Sequence, residues 1–166
     1  DIYVWNIETQ TKISHLTGFH KGSIKLLKFS PDGDKLISFG QDDDNSLAIY
    51  DWENSKLIST SKVDKSAVLG IGWKSESEFV SVGQKHIKMW NLRSSSVSSK
   101  RGAWGKLKAE PLLEAVFRGN ICFTAGWKGK IYPWNGTSVG KGIDAHDCCM
   151  SLAPCPKDGS ILYSGG

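Results

Sequence analysis

The first 121 residues contain no cysteine, and all four cysteines of the chain lie between residues 122 and 155. This distribution excludes a disulfide scaffold for most of the chain and favours a reducing compartment. No apolar run approaches the roughly 18 residues of a membrane span. The opening segment DIYVWNIETQ has neither the basic nor the apolar region of a secretory signal. We therefore expect neither a membrane protein nor a secreted one.

Proline is also scarce, with five residues, whereas the chain has 18 Gly and seven Trp. Neither sign of charge dominates, because 21 Lys and Arg face 17 Asp and Glu, for a formal net charge of +4. With its many Ser and Thr, this composition is typical of all-β proteins made of short strands and tight turns. Composition alone indicates no activity.

Two markers recur along the chain with a period of about 40 to 45 residues, which is the signature of a repeat architecture. An aromatic residue followed by Asn or Asp occurs at Trp5, Tyr50, Trp90 and Trp134. Ser or Thr two residues before Gly occurs at Ser38, Ser81, Thr124 and Ser164. Segments 20–40 and 146–166 also align without a gap.

Each repeat predicts four short strands. In the best-defined repeat they cover 24–29, 35–40, 47–52 and 56–61, with apolar and polar positions alternating as in half-buried strands. Between the first two strands, Pro31 and Gly33 occupy favoured positions of a tight turn. Four-stranded units of this size cannot bury both faces alone, so we expect them to stack radially as propeller blades.

These repeats resemble the WD40 repeat. The resemblance rests on Gly18-Phe19-His20, on the turn FSPDG (29–33), and on the two markers described above. More specifically, SFGQDDDNSLAIYDWEN, SVGQKHIKMWNL, SSKRGAWGKLKAEP and AHDCCM…DGSILYSGG resemble, in order, consecutive blades of the echinoderm microtubule-associated protein-like (EML) family. The ordered series is more specific than any single motif, and it covers essentially the whole chain.

The expected fold is an all-β, WD40-type β-propeller with about four blades' worth of four-stranded antiparallel sheets. We place two strands of a first blade in 1–17, three blades in 18–62, 63–108 and 109–144, and two strands of a further blade in 145–166. This organisation predicts 16 strands. Since WD40 propellers usually close with about seven blades, the resemblance implies a fragment of a larger ring, from the first propeller of an EML protein. Closure of four blades is the alternative.

Several residues are expected to have structural roles. In the WD40 pattern, a His before the first strand, a Ser or Thr on the second, an Asp in the next turn and a Trp on the third form a buried network. His20 and Ser38 match this pattern, and one of the aspartates in 42–44 would supply the carboxylate, but Tyr50 replaces the Trp. The expected structural residues are His20, Ser38, Tyr50, Trp90, Trp134 and His146.

No segment predicts a metal, cofactor or catalytic site. His146 and the cysteines Cys148, Cys149 and Cys155 lack the spacing of zinc ligands. The acidic turn DDDNS (42–46) lacks the glycine of a calcium loop, and GAWGK (102–106) departs from a phosphate-binding loop. An enzyme on a propeller scaffold stays a remote alternative, since no catalytic pattern supports it.

Two groups of residues are predicted to bind partners. The segment 93–108 contains five basic residues and no acidic one, and its alternative interpretation is a long, mobile and solvated connection. Its basic residues are Arg93, Lys100, Arg101, Lys106 and Lys108. The residues four positions before the end of each first strand should line a common surface, which we call the binding register. They are Lys25, Leu69, Leu113 and Ser151.

Resemblance to the EML family implies a non-catalytic interaction platform that binds tubulin or microtubules and recruits other proteins, in the cytoplasm and on the cytoskeleton. The acidic tail of tubulin would suit a basic patch. A generic WD40 scaffold in a ciliary, signalling or RNA-processing complex is the alternative. Nucleic acid is disfavoured, because the charge outside the basic segment is nearly balanced.

Overall fold

The computed structural model describes residues 1–166 and consists of 17 strands joined by turns, without any helix. The strands of the first half of the chain are β1 Ile2–Asn6, β2 Thr11–Leu16, β3 Ile24–Phe29, β4 Lys35–Gly40, β5 Leu47–Asp51, β6 Lys56–Ser61, β7 Val68–Trp73 and β8 Glu78–Gly83. The remaining strands are β9 Ile87–Arg93, β10 Ser96–Arg101, β11 Leu112–Arg118, β12 Ile121–Gly126, β13 Lys130–Asn135, β14 Ser138–Val139, β15 Ile143–Asp144, β16 Ser151–Pro154 and β17 Leu162–Gly165. None of the chain forms a helix of the length and apolarity needed to cross a bilayer.

The strands form five antiparallel sheets in which chain neighbours pair. Three sheets have the order β3-β4-β5-β6, β7-β8-β9-β10 and β11-β12-β13, the last with β14 and β15 both paired to β13. Two-stranded sheets β1-β2 and β16-β17 precede and follow them. This succession of four-stranded meanders is that of propeller blades, so the predicted all-β propeller fold is confirmed.

The turn between β3 and β4 shows how local sequence sets the strand bounds. The amide of Gly33 donates to the carbonyl of Ser30 over 3.0 Å, and Gly33 has a φ of 84°, which favours glycine. The indole of Trp52 donates to the carbonyl of Gly33 over 2.6 Å. β5 ends at Asp51, one residue before the predicted position, because Asp51 pairs with Lys35, the first residue of β4.

The chain divides into two compact units, one of 1–65 and 92–97 and the other of 66–91 and 98–166. In the first unit, β1 and β2 pack against the middle strands of the β3–β6 sheet. That core contains Ile2, Val4, Leu16, Leu36, Ala48 and Tyr50. Since β4 and β5 are the middle strands, nearly all of their side chains are buried.

In the second unit, the main core joins residues of β8 and β9 to residues of the β11–β13 sheet. Its buried members are Val80, Val82, Ile87, Leu112, Ala115, Cys122, Tyr132 and Trp134. A smaller cluster of Ala125, Ile131, Cys149 and Leu152 continues toward β16. Each sheet of this unit therefore buries one face against the next along the chain.

The fourth strand of the β11–β15 sheet is broken, which brings the observed number of strands above the predicted 16. Proline has no amide hydrogen to donate, so the sequence predicts an irregular ladder at Pro133. The carbonyl of Pro133 accepts from the amide of Gly140 over 2.7 Å, and the outer strand separates into β14 and β15 around 140–142. Of the backbone groups of Pro133, only the carbonyl can form a hydrogen bond with the outer strand, so the outer strand is interrupted there.

One interpretation of the segment 93–108, that of a long, mobile connection, is wrong for part of it. Ser96–Arg101 form β10, the outer strand of the β7–β10 sheet and the fourth strand that the 63–108 blade requires. Ser94 turns the chain with a φ of 51° and lets β10 pair back along β9. An outer strand needs few apolar residues, because little of it faces the core. The polar composition of β10 therefore resembles that of a loop.

Candidate protein-interaction site

A hydrogen-bonded network joins the start of the 18–62 repeat to its second and third strands. Nε2 of His20 lies 2.6 Å from the hydroxyl of Ser38, and its Nδ1 lies 2.8 Å from the hydroxyl of Ser46. The amide of Ser46 donates to the carboxylate of Asp42 over 2.8 Å, and its hydroxyl donates to the same carboxylate. Asp42 is thus the aspartate that completes the network, through Ser46 and without touching His20.

Burial sets the protonation of this network. It lowers the pKa of His20 below its ordinary value, against the opposing effect of the Asp42 charge. It raises the pKa of Tyr50, whose hydroxyl hydrogen-bonds with Ser38. Burial alone would raise the pKa of Asp42, but hydrogen bonds from Ser46 and the neighbouring His20 hold that pKa below its usual range.

His20, Ser38 and Asp42 superficially resemble a hydrolytic triad, but the geometry does not support nucleophilic chemistry. Ser38 is 0% exposed, so its hydroxyl cannot reach a substrate. In a triad the carboxylate orients the imidazole directly, whereas here Ser46 stands between His20 and Asp42. The network ties strands together rather than presenting a reactive group.

Related bonds occur in the later repeats. The indole of Trp90 donates to the hydroxyl of Ser81 over 2.9 Å, and that of Trp134 donates to Thr124 over 2.9 Å. Both indoles are buried, with Trp90 3% and Trp134 0% exposed. His146 lies 2.9 Å from the hydroxyl of Ser164, the counterpart of the bond between His20 and Ser38.

The predicted binding register has a structural peculiarity that the sequence did not reveal. In the first strands of three sheets, the pairing skips one residue at this register, which forms a β-bulge. The skipped residues are Lys25, Leu69 and Leu113, whereas Ser151 opens β16 without a bulge. Lys25 and Ser151 are exposed, and Leu69 and Leu113 are half-buried. A bulge redirects its side chain out of the regular alternation.

All five basic residues predicted to bind a partner are exposed. Arg93 ends β9, Lys100 and Arg101 end β10, and Lys106 and Lys108 lie in the connection that follows.

That connection is anchored. The ring of Trp104 lies 5.1 Å from the ring of Trp134 and 5.1 Å from that of Tyr132, edge to face in both cases. The amide of Ala103 donates to the carbonyl of Thr137 over 2.7 Å. Lys106 and Lys108 are therefore presented from a fixed segment.

Sequence reasoning missed two further lysines. Lys128 lies in the turn between β12 and β13, and Lys141 lies between β14 and β15. Both are exposed, and they line the same depression as Lys108. Their flanking glycines, in WKGK (127–130) and GKG (140–142), mark them as turn residues, but nothing in their spacing indicates that they meet.

The structure offers no cluster of His, Cys, Asp or Glu suited to a metal ion, and the four cysteines are unpaired. In the turn that superficially resembles a calcium loop, Asp42 is engaged by Ser46, and Asp44 forms an ion pair of 2.8 Å with Lys62. These carboxylates therefore already have partners within the protein.

The four-stranded meanders, their buried Trp–Ser and Trp–Thr bonds and their period define the class as WD40-type β-propeller blades. No family model matches the chain. The chain is 26% identical, over 99% of its length, to the 77 kDa echinoderm microtubule-associated protein of Strongylocentrotus purpuratus, of which it covers 26%. It is 25% identical, again over 99% of its length, to echinoderm microtubule-associated protein-like 4 of Mus musculus, of which it covers 19%.

A third relative is the ciliary WD repeat-containing protein ctxp80 of Euplotoides octocarinatus, with 24% identity over 98% of the chain and 25% of that protein. These similarities confirm the resemblance to the EML family. The chain spans between about a fifth and a quarter of the length of these curated relatives. Among solved structures, the computationally designed Ika8 protein matches 98% of this chain and 48% of its own, with a TM-score of 0.76 and 20% identity, which shows a shared fold alone.

Proposed function

We propose that the chain is part of a microtubule-associated WD-repeat protein and works as a non-catalytic platform that binds tubulin. The carrying observation is the row of five exposed cationic side chains along 93–108, a segment without any carboxylate. An exposed cluster of one sign attracts an acidic partner and speeds its association. The names of the EML relatives, as microtubule-associated proteins, support tubulin as that partner.

The register of Lys25, Leu69, Leu113 and Ser151 is the second proposed contact surface. In the second unit, the first strands β7 and β11 lie side by side, since a Cβ on Gly70 would lie 2.6 Å from the carbonyl oxygen of Leu113. Leu69 and Leu113 are thus near neighbours at two bulges, and both are partly accessible. Partly accessible apolar side chains suit a protein partner better than a nucleic acid.

This proposal places the protein in the cytoplasm, on the cytoskeleton. A second candidate, a scaffold in a ciliary assembly, is favoured by the similarity to the ciliary WD-repeat protein ctxp80. Both candidates describe a binding function without catalysis, and they differ in whether tubulin itself is the partner.

The test is co-sedimentation of the intact protein with microtubules. Reversing Lys100, Arg101 and Lys106 to Glu should weaken binding and reduce its dependence on salt, while leaving the fold intact because all three side chains are exposed. The matched control reverses Lys21, Lys65 and Lys157, which are also exposed and change the net charge equally. If the first variant binds microtubules as well as the parent at low salt, the basic segment is not the contact and the assignment falls.

A further inference from the structure

A groove of about 380 Å³ opens on the second unit, and of the residues already proposed to bind a partner only Lys108 lines it. Three stretches of chain line it: the connection before β11, the start of β13, and the interrupted outer strand. Its size suits a few side chains of a bound segment rather than a folded domain.

The floor of the groove is held in place from below. The hydroxyl of Tyr132 donates to the carboxylate of Glu110, whose other oxygen accepts from the amide of Lys128 over 2.7 Å. Glu110 is only 9% exposed, so its charge is satisfied within the fold. Burial, together with the hydrogen bond to Glu110, raises the pKa of the Tyr132 hydroxyl. The phenol therefore stays neutral and its bond to Glu110 persists at physiological pH.

The ring of Tyr132 is only 5% exposed, because neighbouring groups pack closely on it. A Cβ on Gly142 would lie 2.8 Å from this ring, so the glycine lets the chain pass directly against it. The ring of Trp104 also packs edge to face against Tyr132 at 5.1 Å. Leu107, which is 40% exposed, adds an apolar edge.

The rim of the groove is positively charged. Lys108, Lys128 and Lys141 line it and are exposed, and no carboxylate lies within ion-pair distance of their amines. A fourth lysine, Lys130, already pairs with Asp144. Three uncompensated cations around a partly apolar floor favour an anionic ligand with an aliphatic part.

We infer that this groove binds an acidic segment of a polypeptide, with its carboxylates on Lys108, Lys128 and Lys141 and an aliphatic side chain against Leu107. Asp144, on the same rim, disfavours the continuous phosphate backbone of a nucleic acid. The inference rests on the proposed function only in that the partner is acidic. It holds whether or not that partner is tubulin.

The test uses the intact protein and a fluorescein-labelled peptide of glutamates with one central leucine, followed by fluorescence anisotropy at about 50 mM salt. Replacing Lys128 and Lys141 together by Gln should weaken peptide binding about five-fold. The matched control, Lys65→Gln with Lys157→Gln, removes the same charge elsewhere and should change binding by less than about two-fold. A peptide with Gln in place of Glu should bind the parent protein no more tightly than the glutamate peptide binds the double variant.

Equal peptide affinities of the parent and the Lys128→Gln, Lys141→Gln variant would overturn the inference, and so would an equal loss in the matched control. Tighter binding of a single-stranded oligonucleotide of the same charge, lost in the same variant, would overturn it in favour of nucleic acid. Microtubule co-sedimentation of the parent separates the two proposals. Peptide binding that depends on these lysines, in a parent that does not sediment with microtubules, supports the groove and contradicts the proposed tubulin function.

Discussion

Nε2 of His20 lies 2.6 Å from the hydroxyl oxygen of Ser38, and the rest of the network fixes which of the two donates. The hydroxyl hydrogen of Ser46 is given to Asp42, so the oxygen of Ser46 can only accept from Nδ1 of His20. A neutral imidazole with its hydrogen on Nδ1 has a lone pair on Nε2, which accepts from Ser38. Asp42 thus sets the tautomer of a ring that it does not touch.

The network predicts a stability that depends on pH through His20. Burial lowers the folded-state pKa of His20 below the unfolded value of about 6.5, so the unfolded chain takes up this proton first as the pH falls. The free energy of unfolding should therefore be fully retained above about pH 6.5 and fall below it, down to the lowered pKa. Urea unfolding at about pH 7.5 and 5.5, for the parent and for His20→Gln, measures this contribution.

In this comparison the other three histidines stay in both proteins, so their titration cancels in the difference. The variant should be less stable than the parent at the higher pH and should lose less stability on acidification. An equal loss of stability in both proteins would show that burial beside Ser38 and Ser46 does not lower the pKa of His20 in the folded state.

Two tryptophans of opposite exposure give a second prediction. Trp90 is 3% exposed and Trp127 is 54% exposed. Trp90→Ala should lower the free energy of unfolding by about 3–5 kcal/mol, because it leaves a cavity and an unpaired Ser81. Trp127→Ala should change it by no more than about 0.5 kcal/mol. Denaturant unfolding followed by circular dichroism measures both, and similar losses would contradict the assigned burial.

The success of sequence reasoning here has a physical limit. Local signals, such as Pro31 and Gly33 in a turn and alternation in 35–40, predict β3, β4 and β6 with the observed bounds and β5 to within one residue. They fail for β10, because Ser96–Arg101 is an outer strand whose pairing partner, not its own apolar pattern, makes it a strand.

The same limit applies to the candidate site. Lys108 was predicted to bind a partner on local charge density alone. Its companions Lys128 and Lys141 are far from it in sequence, and only the pairing of β13 with its broken outer strand brings them to one groove. The bulges at Lys25, Leu69 and Leu113 were also missed, since a bulge depends on the register of the partner strand.

The buried bond between Trp134 and Thr124 gives a third prediction, a coupling energy. Nε1 of Trp134 lies 2.9 Å from Oγ1 of Thr124, and both side chains are 0% exposed. Trp134→Phe or Thr124→Val leaves the other group buried without its partner, at a cost of about 1–3 kcal/mol each. The double variant has no orphaned group, so it should be more stable than the sum of the single losses predicts, by about 0.5–3 kcal/mol. Strictly additive losses would mean that the bond contributes nothing.

The last prediction concerns the contact between β7 and β11, which depends on two glycines of β7. A Cβ on Gly72 would lie 2.5 Å from the carbonyl oxygen of Ala115, and backbone cannot yield as a flexible side chain can. Gly72→Ala should therefore push the two first strands apart and lower the free energy of unfolding by about 1–3 kcal/mol.

The matched control for this substitution is Gly159→Ala, because a Cβ there meets no atom within 4 Å. Gly159→Ala should leave stability within about 0.5 kcal/mol of the parent. Because Leu69 and Leu113 lie on the same two strands, Gly72→Ala should also weaken any partner that binds both leucines, whereas Gly159→Ala should not. Equal stability of the two variants in denaturant unfolding would show that β7 and β11 do not approach this closely, and the shared surface proposed for Leu69 and Leu113 would lose its basis.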